Sequence, residues 1–82
     1  MLGEMTMKEI KLLGPSDETL ELALRIVKTA HHLGINYRLE QNDDEDEIVG
    51  HGVIVTPAVV IDGKLAFSGE NPASEALTEI LS

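Results

Sequence analysis

Between Lys8 and Glu40 the hydrophobic period changes twice, and this change limits the folds open to the chain. A short apolar run through Ile10, Lys11, Leu12 and Leu13 is closed by Gly14-Pro15. Apolar residues then recur at helical spacing from Ser16 to Leu33, and "INYRLE", Ile35 to Glu40, returns to two-residue alternation. Strand, helix and strand with joins this short make a right-handed parallel βαβ unit.

The punctuation of the helix agrees with that reading. Ser16 stands where an N-cap is expected, Asp17 and Glu18 fall in the first turn where negative charge favours the helix dipole, and Gly34 follows His31-His32-Leu33 as the C-terminal stop. Glu18, Glu21, Arg25, Lys28 and His32 form a polar stripe. Leu20, Leu22, Ala23, Leu24, Ile26, Val27, Ala30 and Leu33 cover the rest, a breadth that predicts a helix largely buried against a sheet.

The second half alternates differently. "QNDDEDEIVGHG" reads as an acidic loop entering a short helix that Gly50 and Gly52 end. "VIVTPAVVID" reads as a third strand with Pro57 at its start, where a missing N–H does least harm. Asp62-Gly63 joins it to "KLAFSG" as a tight hairpin, and Ala73 to Leu81 form a last helix with Ala76, Leu77, Ile80 and Leu81 on its apolar side. The expected order is β-α-β-α-β-β-α: an α/β fold with a four-stranded mixed sheet and helices on both faces. One domain spans residues 1–82, with Met1 to Met7 expected as a frayed leader.

Composition narrows function. A formal charge of -9, with only six Lys and Arg scattered along the chain, argues against nucleic acid and anionic membrane surfaces as partners. No apolar run approaches the roughly 18–20 residues of a membrane span, so the expected location is the cytoplasm. Tyr37 and Phe67 are the only aromatics, and there is no cysteine, which excludes disulfides, thiolate metal sites and a thiol nucleophile in this chain.

The stretch "DEDEIVGHGVIVTPAVVIDGKLAFSG", Asp44 to Gly69, resembles the compact thioredoxin-like, glutaredoxin-sized proteins of bacteria and archaea often called redox-active disulfide proteins. The acidic short helix, Gly-Val, Thr-Pro, Ile-Asp-Gly hairpin and closing Gly fall in that family's order, and a looser similarity runs from Lys8 through "SEALTEILS". The resemblance implies a thioredoxin-like fold and a Cys-x-x-Cys loop after the first strand, its first thiol activated by a helix N-terminus. Counting forward from Gly14-Pro15 puts those positions at Asp17 and Leu20; counting back from Leu33-Gly34-Ile35 puts them at Ser16 and Thr19. In either register the dithiol chemistry is missing. Pro57 resembles the family's cis-proline, whose preceding residue, here Thr56, presents backbone to an extended segment of a partner.

The other chemistry-bearing residues have simpler readings. Ser16 and Asp17 suit a helix start, and a serine nucleophile needs a base: His31 and His32 lie about 22 Å away along the helix, leaving only His51. Adjacent His31 and His32 point about 100° apart and make no bidentate metal pair. "NDDEDE" has the Asn42, Asp44 and Asp46 spacing of a calcium loop, but Glu47 and Val53 stand where Gly and Glu are required. The glycines form no nucleotide-binding pattern. The expectation is a non-catalytic module holding a peptide or protein partner, with no cofactor and no metal. The alternatives are an oxidoreductase whose cysteines are replaced, and a homodimer built through a sheet edge or the exposed side of the first helix. The charge and the lack of aromatic anchors favour a monomer.

Overall fold

β1, Lys8–Leu13, is the element around which the sheet assembles, because it is paired on both sides. The computed structural model describes residues 7–53, 55–69 and 71–82. The elements that follow β1 are α1 (Ser16–Leu33), β2 (Tyr37–Asn42), α2 (Glu45–Gly50), β3 (Ala58–Ile61), β4 (Lys64–Ser68) and α3 (Ser74–Leu81). The leader expectation falls, for residues 1–6, outside the described residues.

The four-stranded sheet runs β2-β1-β3-β4. β2 lies parallel to β1, with Ile10 opposite Leu39, and β3 lies antiparallel on the other side, with Leu12 opposite Val59. β4 closes the hairpin through Asp62-Gly63, both at positive φ, and a register shift sits between Val59 and Val60. The βαβ half and the ββα half thus meet at β1.

Alternation along β1 divides the core. Ile10 and Leu12 pack with Leu22 and Ile26 of α1, Val59 of β3, and Leu77 and Leu81 of α3. Leu13 points the other way, to a smaller cluster with Ala58, Val60 and Val53 that Ile48 of α2 covers. Helices therefore cover both faces, unequally. On the α2 face Lys11 Nζ lies 3.1 Å from Glu47 Oε1, and His51 Nε2 lies 3.7 Å from the same oxygen.

Several boundaries differ from the expected ones. β2 starts at Tyr37 rather than Ile35, because the Ile35 amide still donates to the Ala30 carbonyl in the wrap that ends α1 at Gly34. β3 starts only after Pro57; Val53, Val55 and Thr56 lie before it, outside the ladder. Ser16 is not the N-cap of α1. Pro15 holds that position at φ -63° and ψ 146°, no side chain caps the end, and the Pro15 carbonyl accepts from the amides of Glu18 and Thr19. Finally, α1 is not apolar on its buried side alone, since Leu20 and Leu24 are 63% and 56% exposed.

Candidate functional site

Leu13 is fully buried, so the chain must turn sharply at Gly14 to lay α1 back over the sheet. Gly14 has a φ of 136°, which a side chain rarely tolerates. Its amide donates to the Asn42 carbonyl (3.0 Å) and its carbonyl accepts from Gln41 Nε2 (2.7 Å), fastening the turn to the end of β2. A Cβ at this position would stand 3.1 Å from Thr56 Cβ and 3.6 Å from Pro57 Cα. Glycine is therefore what lets the start of α1 approach the Val55-Thr56-Pro57 loop closely.

That loop has its own supports. The Thr56-Pro57 peptide bond is cis. Ser68 Oγ donates to the Val55 carbonyl (2.9 Å), and the Gly69 amide donates to the Pro57 carbonyl (2.9 Å). Gly69, at φ 80°, carries no side chain where a Cβ would meet Val55 Cγ1 at 2.9 Å. Among the described residues, no backbone hydrogen bond takes up the amide or carbonyl of Thr56. Val55 beside it is 54% exposed.

Among the described residues, one side-chain hydrogen bond joins the turn and the loop. Thr56 Oγ1 donates to Glu18 Oε1 at 3.0 Å. Glu18 occupies the third helical position, from which a glutamate ordinarily reaches back to the N-cap amide. Pro15 has no such amide, which leaves the carboxylate for Thr56. The sequence reading missed Glu18 and Ser68 as site residues, and read Gly14 and Gly69 only as turn glycines. Glu18 had the one detectable signal, a glutamate three residues after a proline cap.

The structure places Ser16, Asp17, Thr19 and Leu20 in the first turn of α1, in unequal states. Ser16, Asp17 and Leu20 are exposed, whereas Thr19 is 1% exposed and its hydroxyl donates to the carbonyls of Pro15 (3.2 Å) and Ser16 (3.4 Å). Thr19 is therefore spent on the helix itself. His31 and His32 are exposed at the far end of α1, and His51 lies beside Glu47 of α2, its Nε2 3.7 Å from Oε1. The acidic run serves as a helix start: Asp44 Oδ1 accepts from the Asp46 amide, and Asn42 Oδ1 from that of Asp44. Among the described residues, no group of three or more His, Cys, Asp or Glu is placed to hold a metal ion. No described helix is long and apolar enough to cross a membrane.

A pocket of about 300 Å³ lies elsewhere, between Met7, Lys8, Ile35, Asn36, Asp62, Leu81 and Ser82, at the opposite end of β1 from Gly14. It shares no residue with the turn or the loop.

Ser16 shares the turn with the carboxylates of Asp17 and Glu18 and with no histidine, and a helix dipole contributes about 1 kcal/mol, far too little to ionise a serine. A search of curated proteins finds no match to this chain. The family model for the thioredoxin domain matches residues 8–82, nearly the whole chain. The chain, folded as a thioredoxin-like domain and without a cysteine anywhere, belongs to the thioredoxin-domain family as a redox-inactive member.

Proposed function

We propose that this domain is a binding module that holds an extended segment of a peptide or protein partner along the groove between the α1 start and the Thr56-Pro57 loop. The observation that carries this reading is the Thr56 backbone, which no described backbone hydrogen bond takes up although the loop around it is fastened on both sides. An extended segment pairing there would gain main-chain hydrogen bonds, and Val55, which is exposed, would supply apolar contact at its edge. The groove takes part through shape and backbone, so the missing thiols do not weaken it.

The test is a titration of isotope-labelled protein with a library of extended peptides, followed by amide chemical shifts. Binding is expected to move Val55, Thr56 and the Ser16 to Leu20 amides first. Thr56→Arg, which fills the groove from a half-buried position, is expected to weaken it by at least ~10-fold. Shifts confined to another surface, or an unchanged affinity in Thr56→Arg, would refute the reading.

A further inference from the structure

Leu20 and Leu24 are exposed on α1, and half-buried Val27 and exposed His31 follow them at steps of three and four. At about 100° per residue this 4-3-4 spacing keeps all four within about 60° around the helix axis. The residues that seat α1 on the sheet, among them Leu22, Ile26 and Thr29, lie on the opposite side. The helix thus carries a second stripe, apolar at Leu20, Leu24 and Val27 and ending in His31, that the described residues leave largely uncovered, with the spacing of a short coiled-coil seam. Glu21 and Lys28 border it, one heptad apart and in the same position relative to the seam.

We propose that this stripe is a contact face between two copies of the chain, α1 packing antiparallel against α1 of the second copy. A two-fold axis midway between Leu24 and Val27 sets Leu24 against Val27 of the other copy and Leu20 against its His31. The same symmetry brings Glu21 opposite Lys28 of the other copy, twice. Parallel pairing would place Ala23 opposite Lys28 and form neither ion pair. The helix is therefore complementary to its own reverse, which is what commits the stripe to a second copy.

The charge of -9 does not oppose this contact as strongly as its size suggests. α1 itself carries Asp17, Glu18 and Glu21 against Arg25 and Lys28, while the Asp43 to Glu47 run lies with α2 across the sheet. At physiological salt, charges beyond about 8 Å are largely screened. A single helix pair buries less than the ~1,200 Å² of a stable interface, so the association is weak and reversible. It does not depend on the Thr56 groove.

Sedimentation equilibrium of the chain from about 10 μM to about 1 mM, a range suited to weak association, tests this. The mass is expected to rise from one chain toward two. Leu24→Glu is expected to weaken association by at least ~10-fold, and Glu21→Lys and Lys28→Glu singly by ~10-fold each, with the double exchange restoring it to within ~3-fold. All these positions are exposed, and circular dichroism checks that each variant keeps its helix. A monomer throughout, unchanged association in Leu24→Glu, or a double exchange no tighter than the singles would each overturn the proposal.

Discussion

The Gly14 to Leu20 turn and the Val55 to Pro57 loop approach so closely that a methyl group on Gly14 would touch Thr56, yet they are held in different ways. The turn is held by backbone and by residues pointing away from the groove: the Pro15 carbonyl starting α1, the Gly14 bonds to β2, and Thr19 turned inward. The loop is held by Ser68 and Gly69 at the end of β4. Apart from Thr19, which stands at one of the two positions a Cys-x-x-Cys loop would use, none of these supports is a side chain that a thiol-exchange reaction would use. A site can therefore lack its reactive groups and keep its shape, since the two properties rest on different atoms.

The largest effect should come from closing the space between the two walls. Gly14→Ala combines an unfavourable φ with a 3.1 Å approach to Thr56 Cβ and is expected to destabilise the fold by about 2 kcal/mol in a denaturant titration. A loss below about 0.5 kcal/mol would show that the loop yields freely and that the approach is not enforced.

Restoring reactive groups separates shape from chemistry. Ser16→Cys with Thr19→Cys places an exposed thiol at the first helical position and a buried one a turn behind it, and thiol-disulfide exchange is expected to return. Asp17→Cys with Leu20→Cys, both exposed, is expected to exchange at least ~10-fold more slowly, because its attacking thiol lies deeper in the first turn. Equal rates would mean that the two registers are chemically equivalent on this scaffold.

The smallest effect concerns the side-chain link between the walls, Thr56 to Glu18. Thr56→Val removes the bond to Glu18, which is exposed, so about 0.5 kcal/mol of stability should be lost. Peptide binding should survive this change, since backbone carries it. A loss of binding matching that of Thr56→Arg would assign the recognition to the hydroxyl.

Some of this was legible before any coordinates. The change from two-residue to helical period and back marks β1, α1 and β2, and Asp62-Gly63 marks the hairpin, because these signals act between near neighbours. Ser16 was misread as a cap because serine suits that position in isolation, while Pro15 already supplies the extended geometry and the accepting carbonyl. The Glu18 to Thr56 bond spans 38 residues and has no periodic signature.

The amino-acid sequence by itself determined the order of elements, the absence of thiol chemistry and the residues of the turn, since each follows from residue type and local spacing. Only the tertiary structure decided which side of α1 is buried. Leu20 and Leu22 are alike in composition, and a helix with apolar residues over most of its surface does not say which of them the sheet will cover. The close approach of Gly14 to Thr56 was decided there too, because it depends on where β3 returns beside β1, a distance set by strand pairing and not by neighbours along the chain.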